Sequence, residues 1–360
     1  MKRWLPAGAA AAVLAAVVFA GFSGGGNDLD GLGQVDNSSL TVPATTQPGV
    51  VIGTGNAIVK TNLSQPLNRG MSGIEVTAMQ QRLHDLGFDP GPVDGMFGGG
   101  TEQALWAFEG LIGNARYDQQ AGILSNELWQ RMQDDLLFQP RRQSPPGNTH
   151  VEVYLDLQVL IVFKDNKPVL ITHISSGELD ENGEPKLWCE LVTYDTDQNG
   201  VALEEPVTRD ECAYAKTPGG VFRFNRKYDG KRLGPLGGMY NPVYFNYGIA
   251  VHGAENVPNK PASHGCIRIP NWVADYFPSL VELGDYIFVW NGKKEPEDIT
   301  EEESLPSFNF RNPDSTYTTT SSTSPTTTTK PVTTTTKPAT TTTKPATTTT
   351  RPATTTTLAP

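Results

Sequence analysis

The sequence predicts a multidomain chain: a small all-α module, a larger mainly-β domain, and a Thr/Pro-rich tail that builds no core. Three observations carry this reading. Apolar residues recur at helical spacing within 63–137. Within 149–292 they fall instead in short alternating runs bounded by turn residues. Beyond 310 the chain becomes TTTTKPATTTTKPATTTT, a seven-residue repeat with Pro in every unit, whose composition cannot bury an apolar face.

Taken in order, Lys2 and Arg3 precede an apolar run from Trp4 to Phe22 that stops at Ser23 and three glycines. Residues 1–24 are therefore expected to be an export signal, cleaved or kept as a membrane anchor, and both fates place the rest of the chain outside the cytoplasm. Residues 25–62, rich in Gly, Thr, Asn and Ser without periodicity, read as a flexible linker. In the module, Ser72 and Glu75 have capping-box spacing, and Val76, Met79, Leu83 and Leu86 follow on one face until Gly87. Thr101 is expected to open a second helix with Ala104, Leu105 and Phe108 inward, and Ser125 a third with Leu128 and Met132. Between the first two lies DPGPVDGMFGGG, a turn-rich loop.

After the break FQPRRQSPPGN, the run VEVYLDLQVLIVF (151–163) reads as a strand, DNKP as a hairpin turn and VLITHIS as its partner. Strands are also expected at GVFRFN, PVYFNYGIAVHG and DYIFVW, with one amphipathic helix over 271–280 facing Val273, Tyr276, Phe277 and Leu280 inward. The tail, 310–360, carries only basic charges after Asp314; it is expected to be a disordered stalk and an O-glycosylation target.

The net charge of −11, with acidic runs such as EPEDITEEE, argues against nucleic acid as a partner. An exported chain with three cysteines implies one pair and one leftover. Cys189 and Cys212, set in a polar, loop-like stretch, make the natural disulfide, which leaves Cys266 free. No CxxC or clustered His/Cys spacing appears, so neither a metal nor another cofactor is expected. In PASHGCIRIP an extended chain would put His264, Cys266 and Arg268 on one face and Gly265, Ile267 and Ile269 on the other. In GIAVHG the same alternation buries Ile249 and Val251 and turns His252 outward. A cysteine that only fills a core needs no such neighbours, and a lone histidine is usually just a hydrogen bonder. A nucleophilic thiol needs a base and nearby positive charge, and this constellation supplies both.

Two resemblances sharpen the picture. LNRGMSGIEVTAMQQRLHDLGFDPGPVDGMFGGGTEQALWAFEG resembles the three-helix peptidoglycan-binding domain, and HGAENVPNKPASHGCIRI resembles the signature of the YkuD-type L,D-transpeptidase family. The second resemblance implies a β-sandwich with a helix over the site. It also implies Cys266 as the acylated nucleophile, His252 as general base and the Gly253 carbonyl as its orienting partner. Ser263, His264, Gly265 and Arg268 are then motif residues lining the site, with His264 shaping it and His252 taking the proton. The implied reaction is 3→3 cross-linking of peptidoglycan stem peptides, the implied partners are those stems and the wall glycan, and carbapenems, as β-lactams, are implied inhibitors. The same residues would serve an L,D-carboxypeptidase using water as acceptor, and the module with its stalk would suit a non-catalytic wall anchor.

Overall fold

The computed structural model describes residues 49–53, 59–196, 201–234, 236–308 and 310–311. The export signal, most of the linker and the repeat tail from 312 lie outside the described residues. The helical module opens and closes with two paired strands, β1 (Gly49–Ile52) and β2 (Leu136–Gln139), flanking α1 (Ile74–Asp85), α2 (Gly99–Gly113) and α3 (Asn126–Met132). The α1 face buries Val76, Met79 and Leu83. Its expected capping box does not form: the N-cap is Gly73, and Glu75 instead accepts from the Ser64 N–H (2.7 Å) and Oγ (2.8 Å). Helix α2 begins two residues before Thr101, whose buried hydroxyl accepts from Gln80 Nε2 at 3.0 Å. Ser125 caps α3 by accepting from the Leu128 N–H.

The β domain begins with β3 (Thr149–Tyr154), β4 (Val159–Lys164) and β5 (Lys167–His173). The stretch 151–163, read from sequence as one strand, is two: the chain reverses after Tyr154, with Gln158 in the left-handed region at φ 53°. Asp165 and Asn166 (φ 52° and 59°) then make the tight turn into β5. Next come β6 (Leu187–Thr196), β7 (Ala202–Tyr214), β8 (Gly220–Arg223), β9 (Arg226–Lys227) and β10 (Lys231–Gly234). The run PVYFNYGIAVHG also divides, into β11 (Gly237–Asn246) and β12 (Ile249–Ala254), and β13 (Ile267–Pro270) follows. The helix expected over 271–280 is broken into α4 (Asn271–Ala274) and α5 (Phe277–Leu280), because Pro278 lacks the N–H that a continuous helix would use. Strand β14 (Tyr286–Trp290), helix α6 (Glu301–Ser304) and strand β15 (Phe310–Arg311) complete the described chain.

One five-stranded sheet runs β5-β4-β3-β14-β8; a second runs β10-β11-β12-β13 with β9 on β11; a third joins β15, β7 and β6. The first two form the sandwich, whose core holds Val151, Val153, Leu160, Val162, Val251, Ile267 and Ile269 among others. The outer face of the first sheet is not bare. Tyr154, Val159, Ile161, Phe163 and Ile171 join Leu83, Leu105, Phe108 and Met132 of the module in one continuous core, so β3 and β4 are buried on both faces.

Candidate active site

The parallel pairing of β12 with β13 sets Val251 beside Ile267 and His252 beside Arg268. Because Val251, Ile267 and Ile269 point into the sandwich core, His252 and Arg268 must point the other way. They face a cleft of about 780 Å³ whose wall also includes Cys266, Ser263, His264 and Gly253. Gly265 is buried beneath it at φ 129°, a conformation reserved for glycine, and a Cβ there would meet the Lys216 carbonyl oxygen at 2.7 Å. That left-handed residue breaks the strand, so the extended SHGCIRI geometry read from sequence holds only from Ile267 onward. His264 accordingly does not stand parallel to Cys266. Its Nε2 lies 3.2 Å from Glu190 Oε1 and its ring 4.9 Å from that of Trp188, both on β6.

The turn is braced by hydroxyls. Ser263 Oγ accepts from the Gly265 N–H (3.0 Å) and donates to the Cys266 carbonyl (2.5 Å), while Thr217 Oγ1 donates to the Gly265 carbonyl (2.7 Å). Behind it, Arg268 and Ser175 exchange both backbone hydrogen bonds, at 2.9 and 3.0 Å.

His252 is buried, and its Nδ1 lies 2.9 Å from the Gly253 carbonyl oxygen. A carbonyl can only accept, so Nδ1 carries the proton and Nε2 is left with its lone pair. Burial, reinforced by the Arg268 charge, pushes the imidazole down to about 4, so it is neutral at neutral pH. Cys266 is half-buried, with Sγ 3.7 Å from the Gly248 carbonyl. Burial raises its thiol, opposed by the Ala250 N–H and by the charges of Arg268 and Arg232. The resting pair is therefore a neutral thiol and a neutral imidazole whose free nitrogen can accept a proton.

Sequence reasoning missed the other wall of the cleft. Trp188 and Ala213 come from the β6–β7 hairpin, and Pro306, Ser307 and Phe308 from the segment after α6. The stretch 189–212 is not a loop but this hairpin, with Cys189 and Cys212 directly opposed across it and bonded at S–S 1.99 Å. Asn199-Gly200, flanked by Val192, Thr193, Val207 and Thr208, was the signal that could have revealed it.

Residues 148–289 match the model of the L,D-transpeptidase catalytic domain, and residues 72–132 that of a putative peptidoglycan binding domain. The crystal structure of an L,D-transpeptidase from Xylanimonas cellulosilytica is 30% identical, aligns over 64% of this chain and 100% of that one, and superposes with a TM-score of 0.50. This chain belongs to the L,D-transpeptidase family. An L,D-transpeptidase from Stackebrandtia nassauensis is 18% identical over 64% of this chain and 97% of that one (TM-score 0.32). An Enterococcus faecium L,D-transpeptidase is 21% identical over 40% and 50% (TM-score 0.27). No curated protein matches. Membership of the L,D-transpeptidase family, with a peptidoglycan-binding module alongside, makes the chain a transpeptidase-type enzyme acting on the wall, hence outside the cytoplasm. Among the described residues no helix is long and apolar enough to cross a membrane.

Proposed function

We propose that this enzyme forms 3→3 peptidoglycan cross-links through a thioester on Cys266, after export directed by residues 1–24. The observation that carries the reading is the bond between His252 Nδ1 and the Gly253 carbonyl, which leaves Nε2 as a proton acceptor on a side chain that lines the same cleft as Cys266. His252 Nε2 takes the thiol proton as Sγ attacks the carbonyl that precedes the terminal D-Ala of a donor stem. The Gly265 N–H is already engaged by Ser263 Oγ. The developing oxyanion therefore falls to the Cys266 N–H and the Arg268 guanidinium. The C–N bond breaks as the imidazolium returns its proton to the departing D-Ala amine. The thioester keeps the acyl group activated, so a side-chain amine of a second stem displaces Sγ, giving its proton to His252, and the thiol is restored. Ser263 holds the turn, and His264 shapes the wall toward β6. The disulfide Cys189–Cys212 keeps that wall in register, and the module binds the glycan that carries the stems.

The test is intact-mass spectrometry of the protein incubated with a tetrapeptide stem or with a carbapenem. One acyl adduct on Cys266 is expected, absent in Cys266→Ala; an adduct persisting in that variant overturns the assignment. Acylation should follow the protonation of His252. The lowered imidazole stays neutral and basic through mildly acidic pH, so the rate should hold to about pH 5 and fall as pH drops through about 4. In His252→Ala that acid limb should disappear along with about 10²–10⁴-fold of the rate. Replacement of His264 producing that loss instead would reverse the two roles.

A further inference from the structure

A second cavity, about 130 Å³, lies where the module meets the catalytic domain. Its module side is the loop Pro90–Met96 with Gly98 and Gly100; its other side is Trp272, on α4 of the catalytic domain. The loop is held from beneath by Gln80, which is buried. Its Nε2 donates to Asp94 Oδ1 (3.1 Å), the Met96 carbonyl (3.0 Å) and Thr101 Oγ1 (3.0 Å), and its Oε1 accepts from the Gly95 N–H (2.8 Å). Asp94 Oδ1 also accepts from the Met96 N–H at 2.8 Å, and these two bonds keep the carboxylate ionised. Both of these bonds fall on Oδ1, and the side chain is exposed to the solvent from which a ligand would come. Trp272 as a residue remains 38% exposed. The glycine run at 98–100 has a use here: a Cβ on Gly100 would come within 2.9 Å of the Pro90 carbonyl and 3.1 Å of the Trp272 ring. Without a side chain at 100, the indole can lie against the start of α2.

We propose that this junction is a saccharide site that holds one pyranose ring of the wall glycan on Trp272, with Asp94 accepting from its hydroxyl or acetamido groups. The inference rests on the transpeptidase reading and adds to it that the module and the catalytic domain grip one glycan together. Three features favour a sugar. An exposed indole face offers a flat apolar platform, a fixed carboxylate beside it accepts hydrogen bonds from hydroxyl or amide groups, and the cavity has room for about one ring. Position supplies the fourth. Asn271 lines the catalytic cleft and Trp272, the next residue, lines the junction cavity. Cys266 and Trp272 are six positions apart, so their Cα atoms are at most about 20 Å from each other. An extended stem of four or five residues spans about 14–18 Å. That span is of the same order as the upper bound on the separation, so a stem borne by a sugar in this cavity would extend toward the thiol, and the shared core joins the module to the catalytic domain.

The experiment uses the full ectodomain and two probes: chitotetraose, which carries no peptide, and a tetrapeptide stem presented free or attached to its disaccharide. In a heteronuclear NMR titration with chitotetraose, the indole N–H signal that is missing from Trp272→Phe is expected to move in the wild-type spectrum. In Asp94→Asn and in Trp272→Ala, kcat/KM for the disaccharide-linked stem should fall about ten-fold further than for the free stem, through KM. Asp94→Asn keeps the shape of an exposed side chain, so it reads the site even if Trp272→Ala disturbs packing. An indole that stays still, or equal losses on both substrates, overturns the proposal. Carbapenem acylation of the wild-type protein separates the two readings: its absence refutes the transpeptidase mechanism, while the saccharide titration still reports on the cavity.

Discussion

The two edges of the catalytic cleft are built on different principles. The loop 255–262, leading from His252 to Ser263, is pinned against the helical module: Gln103 Nε2 donates to the Val257 carbonyl (3.0 Å) and Asn259 Nδ2 to the Tyr117 carbonyl (3.0 Å). From β5 and the residues after it, His173 Nε2 donates to the Pro258 carbonyl (3.1 Å) and Ser175 Oγ to the Lys260 carbonyl (2.7 Å). Beneath these bonds lies the core that module and sheet share. The opposite edge, the β6–β7 hairpin, buries little: Val192, Cys212 and Ala213 among its described residues. It is held by the disulfide, by β15, and by polar contacts such as the Tyr214 N–H to Ser307 Oγ (2.9 Å). The chain that carries the nucleophile is thus fixed by apolar burial, whereas the wall over it is fixed by a covalent staple and surface bonds. Precise placement is needed where a bond is made, and adaptability where substrates of different bulk enter.

Three perturbations would break or sharpen this contrast. The largest effect is expected at Phe108, fully buried in the shared core and in edge contact with Phe88. Phe108→Ala should cost about 3–5 kcal/mol. If module and sheet are one cooperative unit, denaturant should then unfold helix and sheet signals in a single transition at lower concentration. Two separated transitions would show that the fixed edge is two pieces. The next effect is on the hairpin. Replacing Cys189 and Cys212 by serine removes a staple worth on the order of 3 kcal/mol by loop-closure reasoning. Hydrogen exchange should speed up across β6 and β7 while the amides of 255–262 keep their protection. Equal acceleration at both edges would show them to be coupled.

The sequence displayed what is local and concealed what is shared. The α1 periodicity, the Ser125 cap and the Asp165-Asn166 turn are each set by a few neighbouring residues, and each was legible. Alternation in 151–163 was legible too, yet it could not reveal that both faces are covered, since Tyr154, Ile161 and Phe163 are buried by a module distant in the chain. Within the site, the turning of His252 and of Arg268 away from the buried Val251, Ile267 and Ile269 followed from period-two reasoning, whereas their pairing across β12 and β13 did not. Nor did the placing of His264, because one left-handed glycine redirects it. Trp188, Arg232 and Phe308 reach the cleft from the β6–β7 hairpin, from β10 and from the segment after α6, whose proximity no local pattern encodes.

The smallest effect is expected where the two edges touch. Glu190 on the hairpin faces His264 beside the nucleophile at 3.2 Å, with side-chain exposures of 45% and 34%. With His264 protonated, a pair this open to water is a screened ion pair whose contribution is about 0.2–1 kcal/mol. Glu190→Gln should therefore lower kcat/KM by no more than about five-fold, and the wild-type advantage should shrink further as salt is raised. The tilted contact between Trp188 and His264, 4.9 Å between ring centres, would survive the substitution and keep the wall in place. Steady-state kinetics on a tetrapeptide donor at low and high ionic strength make the measurement. A loss well beyond ten-fold, insensitive to salt, would mean that the hairpin positions the reacting groups themselves, and the distinction between a fixed and an adaptable edge would fall.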